Sequence, residues 1–128
     1  MGDKINLSGD FRGAVVNIKS TLTNVQQSVG EIRSDDESTR KELEKLIGEL
    51  SEALQKTPEE SQEQAEAVAA TAKSLVDVAK VEKPNKALVQ ISGEGLKQAA
   101  QNLAGVMPVV VQIATQIVMA VTKLTGVG

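Results

Sequence analysis

From Val15 onward the apolar positions fall at Val15, Ile18, Leu22, Val25, Val29 and Ile32, spaced three and four residues apart in alternation. That alternation is a heptad seam, the mark of a helix with one apolar stripe. Upstream the pattern changes. Two β-branched runs, Ile5–Leu7 and Val15–Ile18, flank the polar stretch Ser8-Gly9-Asp10-Phe11-Arg12-Gly13. Glycines at both ends of a short polar segment predict a β-hairpin loop. The two patterns compete over residues 14–18. Reconciling them gives strands near 4–8 and 14–18, then a helix from Ser20 to Arg33. A lone two-stranded hairpin is marginal in water, so this arm would have to pack on helices or pair with another chain.

The next segments read as helices with clear boundaries. Ser34-Asp35-Asp36-Glu37 supplies capping side chains, and its acids favour the positive end of a helix dipole. Leu43, Leu46, Ile47, Leu50 and Leu54 then share one face of a helix ending near Lys56. Thr57-Pro58-Glu59-Glu60 predicts a second start: Thr57 as cap, Pro58 in the first turn, Glu60 reaching back. That helix turns Ala65, Val68, Ala69, Ala72, Leu75, Val76 and Ala79 inward and stops before Glu82-Lys83-Pro84-Asn85. Short joints imply antiparallel neighbours. Residues 86–92 suit a strand or a helical turn; the helical reading runs from Lys86 to Gly105, loosened at Gly93 and Gly95. The last helix runs from Pro108 to Leu124.

Charge separates this last part from the rest. Lys97 and Lys123 bracket Gln98–Thr122, 25 residues with no charge. Wound as a helix, Gln112, Thr115 and Gln116 make a narrow polar stripe, and the remaining surface, including Val109, Val110, Ile113, Ile117, Val118 and Val121, is apolar. A surface helix usually has a wide charged face, so this one is expected to be buried at the centre of a bundle or in a subunit contact. The alternative is a bilayer, where the stripe would face a partner helix or a water-filled lumen. Length allows a span. Gly105 and Pro108 interrupt the segment, and the chain has no Trp or Tyr to mark an interface, which favours the buried reading.

Composition narrows the chemistry. The 128 residues fit one domain. The apolar fraction is 41%, built from Val, Ile, Leu and Ala with Phe11 as the single aromatic. There is no His and no Cys, which removes thiolate nucleophiles, histidine bases and nearly all structural zinc sites. The net charge of −3 and the three arginines, with no aromatic platforms, argue against nucleic-acid binding. Acidity is concentrated in residues 34–66, where four positive side chains face eleven negative ones. The opening MGDKINLSGDF carries no apolar run of leader type, so a cytoplasmic location is expected.

Three clusters invite a site and then fail on their own chemistry. Glu59, Glu60, Glu63 and Glu66 lie on successive turns as bundle carboxylate ligands do, but such metal sites also need Glu-x-x-His. Asp35-Asp36-Glu37 lacks the ligand spacing and the glycine of a calcium loop. Gly93-Glu94-Gly95-Leu96-Lys97 has Gln98 where a dinucleotide fingerprint needs glycine, and Glu94 would repel phosphate; a break between helices is the simpler reading. No nucleophile is placed beside a base. The chain is expected to be no enzyme and to need no metal or cofactor.

The segment Asp3–Leu22, DKINLSGDFRGAVVNIKSTL, resembles openings of modules attached to multidomain bacterial signalling or defence proteins. The resemblance implies self-association or adaptor behaviour and carries over no catalytic residue. The expectation is a mainly α single domain, 1–128: a hairpin arm over 1–19, a helical part over 20–104 and an apolar helix over 105–128. Together they would form an antiparallel bundle of about five helices. It would act as a homo-oligomer or on a protein partner, with Val15, Ile18, Leu22, Val25, Val29 and Ile32 as an inter-chain seam or an ordinary core face. A membrane-active effector whose last helix inserts is the alternative.

Overall fold

The computed structural model describes residues 3–126, with side-chain surroundings for Gly13 and for Val15 to Gly126. Five α-helices account for most of it: α1 Asp3–Val29, α2 Glu37–Gln55, α3 Gln62–Ala79, α4 Lys86–Gln101 and α5 Pro108–Thr125, with a 3-10 turn Glu59–Ser61 before α3. No strand occurs among the described residues.

The helix ends follow local chemistry. Asp36 caps α2: its Oδ1 accepts from the Thr39 backbone N–H at 3.0 Å and its Oδ2 from the Thr39 hydroxyl at 2.6 Å. Asn85 caps α4 by accepting from the Leu88 N–H at 3.1 Å. Pro108 occupies the first turn of α5, where its missing N–H costs nothing. Gly126 ends α5 at φ +72°, a left-handed conformation that favours glycine.

The helices close into a ring in the order α1, α2, α5, α4, α3 and back to α1. Neighbours run antiparallel except α1 and α3, which are parallel: Ile18 lies near Ala69 at one end, and Glu31 meets Lys80 at 3.8 Å at the other. Although α2 and α3 are consecutive, they touch little beyond their joint. One apolar cluster of Val, Ile, Leu and Ala fills the centre, with Ile47, Leu50, Leu75, Leu96 and Ile117 fully buried. Small side chains suit this arrangement, because they let helix axes approach closely.

Four expectations are corrected. The N-terminal hairpin is replaced over residues 3–19 by α1, a single helix of 27 residues; residues 1–2 of that expected arm lie outside the described residues. A hairpin would leave its edges unpaired, whereas a helix satisfies its backbone internally and places Ile18 in the core. Gly13 is exposed with open space around it, so it interrupts no packing. Second, α3 begins not at Pro58 but after the 3-10 turn, and Thr57 makes no side-chain cap. Thr57 is buried, its carbonyl accepts from Gln62 Nε2 at 2.6 Å, and its hydroxyl has no partner. Third, residues 86–92 are helical, as the favoured reading has it, but α4 runs through Gly93 and Gly95 without the expected loosening and ends at Gln101, short of Gly105. Fourth, α5 is a wall of the ring between α2 and α4, not a central helix.

Candidate functional site

The surface of interest is built on the α4–α5 contact. Gly93 sets it: a Cβ at this position would lie 3.1 Å from Val118 Cγ1, so only glycine allows this approach without a shift. Val89, Gly93, Leu96, Ala100 and Leu103 face inward at spacings of four and three. That register throws Leu88 and Ile91 outward. They are 49% and 66% exposed. On the other side of α4, Gly95 is half-buried beside Thr71 of α3, whose Cγ2 is 4.0 Å from the Cβ position.

In α5, Val110, Ile113, Ile117 and Val121 are buried and Val118 is half-buried, while Val109 is exposed. In the polar stripe, Gln112 and Gln116 face solvent, and half-buried Thr115 returns its hydroxyl to the Val111 carbonyl at 2.9 Å. The stripe is thus the outer sector of a wall helix. It is polar without being charged, which is why charge counting read the helix as wholly internal. Met119 stands beside it, 65% exposed. Between α4 and α5 runs a shallow groove of about 550 Å³ lined by Lys97, Val118, Met119, Thr122, Lys123 and Gly126.

The seam on α1 goes to the chain's own interior. Ile18, Leu22, Val25, Val29 and Ile32 are buried in the common core, and Val15 is half-buried. Their apolar faces are spent within the molecule and offer nothing to a second chain. Ile32 is not helical at all; it lies in the turn after α1.

Large exposed apolar side chains are unevenly spread. Val81, Leu88, Ile91, Val106, Val109 and Met119 all lie between the end of α3 and α5, and among the described residues only Val16 lies elsewhere. The acids are concentrated on α2 and the start of α3, the helices that flank α5 and α4 in the ring; Glu59, Glu60 and Glu63 are exposed, and Glu42 lies beside Met119. No group of carboxylates able to hold a metal occurs among the described residues. Sequence reasoning passed over Leu88 and Ile91 because residues 86–92 were open between strand and helix; the spacing of Val89, Gly93 and Leu96 is the signal that identifies them.

Asp35-Asp36-Glu37 is a cap and not a cation loop. The Asp36 carboxyl is held below the usual aspartate range, chiefly by the Thr39 hydroxyl and then by the Thr39 backbone N–H, with Lys123 and Arg40 adding attraction and partial burial opposing. A carboxyl whose folded pKa is depressed stabilises the fold above its unfolded pKa, and the contribution is lost as pH falls through the folded value. Acid titration of unfolding should therefore lose stability below the ordinary aspartate range, and Asp36→Asn should flatten that slope. An unchanged slope in the variant would count against the cap.

Comparison of the chain with protein-family models, with curated proteins and with solved structures gives no match in any of the three. What singles out the outer face of α4 and α5 is its own makeup: exposed apolar side chains on the wall of the ring with the fewest charges.

Proposed function

We propose that this protein is a non-catalytic self-association module, a scaffold or signalling adaptor of bacterial type, that works through the outer face of α4 and α5. The supporting observation is the exposure of Leu88, Ile91, Val109 and Met119 on these two adjacent helices, of which α5 carries one charge, Lys123, and α4 carries three, Lys86, Glu94 and Lys97. Exposed apolar groups gathered on one face mark interaction sites, whereas scattered ones carry no meaning. The acidic α2 and α3 surfaces keep the remainder solvated and disfavour contact there. Light scattering at micromolar concentration without detergent should give a multiple of the 13.5 kDa chain mass. A monomer under those conditions would end this reading.

A second reading rests on α5 itself. Its 18 residues have a mean hydropathy of 1.4, long and apolar enough by composition to cross a bilayer. Insertion would require α5 to leave the ring, since Val110, Ile113, Ile117 and Val121 belong to the core. Liposome flotation of the full chain tests it: a protein that stays off anionic and neutral vesicles alike has no membrane-active role.

A further inference from the structure

Resting on the self-association reading, we propose that the occupant of the α4 face is the α4 helix of a second copy, packed antiparallel about a two-fold axis at Ile91. The pattern on this helix is self-complementary. Its outward row contains Ala87, Leu88, Ile91, Glu94, Gly95 and Gln98. Ile91, the most exposed large apolar side chain among the described residues, lies at the middle. A two-fold there sets Ile91 against its own copy.

The same operation pairs positions equidistant from the centre. Leu88 lies three residues before Ile91, and Glu94 and Gly95 lie three and four after it. Leu88 and Gly95 both lie on the side of α4 that faces α3, and an antiparallel two-fold brings like flanks together. Leu88 of each copy therefore falls level with Glu94 of the other and, one residue further along on the shared flank, meets the hollow that Gly95 leaves beside Thr71. A knob of four carbons against a missing side chain is the complementarity that helix pairs need.

Charge follows the same symmetry. Counted from Ile91, Lys86 lies five residues before and Glu94 three residues after, so the paired positions differ by about 3 Å along the axis, an offset that a lysine side chain spans. Antiparallel pairing puts Lys86 of one copy beside Glu94 of the other, twice. The Glu94 side chain is 77% exposed, and its contact with Lys97 is loose at 3.7 Å, so it is open to this exchange. A parallel arrangement would instead oppose Lys86 to Lys86 and Glu94 to Glu94. An isologous contact of this kind closes on itself and gives a dimer, not a fibre.

The chain has no cysteine, which makes a direct test possible. Ile91→Cys places one thiol at the two-fold axis of the dimer; Val16→Cys and Met119→Cys place one at positions of similar exposure on α1 and α5. Under mild oxidation at micromolar concentration, Ile91→Cys should form the disulfide-linked dimer about tenfold or more faster than Val16→Cys, because the contact raises the local thiol concentration. Ile91→Asp sets two carboxylates face to face and should weaken the dimer about tenfold or more, with helicity by circular dichroism unchanged. If the wild-type chain is a dimer but Ile91→Cys links no faster than Val16→Cys, or Met119→Cys links fastest, the α4 contact is overturned and the self-association reading survives. If the wild-type chain is a monomer, both fall together.

Discussion

Ile117→Ala should lower the free energy of unfolding by about 2–5 kcal/mol, the range for truncating a buried isoleucine. Ile117 is fully buried in the core between α5 and its neighbours α2 and α4. Removing its outer carbons loses transfer energy and leaves a cavity, because the flanking helices are held by their other contacts. A domain of this size has a total stability of about 5–15 kcal/mol, so the variant would come near the unfolding threshold. The same substitution at Ile91, which is mostly exposed, should change monomer stability by about 0.5 kcal/mol or less. Urea denaturation of both variants gives the comparison. It also bears on function. If α5 were a detachable element waiting for a membrane, truncating Ile117 would free it without weakening the remaining helices, and the main transition would stay in place. A cooperative shift of the whole transition would mean that α5 is part of the folded unit.

Arg40→Ala should cost about 1.5–3 kcal/mol, the range for losing hydrogen bonds from a charged donor. The Arg40 guanidinium closes the loop between α1 and α2: Nη2 donates to the carbonyls of Ile32 and Ser34, both at 2.7 Å, and Nη1 pairs with Glu37. These carbonyls belong to residues 30–36, which connect two helices and have no ladder of their own. The side chain is largely buried, so its removal leaves acceptors with few partners. Arg40→Lys should recover less than half the loss, because one ammonium cannot serve two carbonyls and a carboxylate in the guanidinium's planar geometry. Hydrogen exchange should speed up first at Gly30–Asp36. A denaturation midpoint for Arg40→Ala equal to wild type would show that the loop holds without it.

Both predictions concern the framework that presents the α4–α5 face. Ile117 holds α5 to the ring, and Arg40 fixes how α1 turns into α2, the other neighbour of α5. Neither touches the outer surface. Loss of association in Ile91→Asp with an unshifted unfolding transition would separate the contact from the fold, whereas Ile117→Ala should disturb both.

Most of the helices were legible in local chemistry. The face of Leu43, Ile47, Leu50 and Leu54, the Asp36 cap and the Pro108 start all depend on neighbours within a turn or two, and each is found in the structure. The α1 register was legible too, but it competed with a hairpin pattern of equal local merit. What decided between them was Ile18, which the helix buries in the common core and an isolated hairpin could not. The start of α3 was misplaced because Thr57 has two uses for its polar groups. Capping is local, whereas the hydrogen bond from Gln62 to its carbonyl exists only once the joint is folded inward.

By itself, then, the amino-acid sequence determined a mainly helical chain with an acidic middle, an uncharged final quarter and no side chains for thiol or imidazole chemistry. Those properties follow from composition and from periods of three and four residues. Only the tertiary structure decided that the α1 seam is internal, that α5 is a wall with a solvated Gln112–Gln116 sector, and that Leu88 and Ile91 stand outside. The physical reason is the order of the ring. A helix's periodicity states that one face is apolar, but which faces stay uncovered depends on which helices become neighbours, and here α5 returns to α2 while α3 lies along α1.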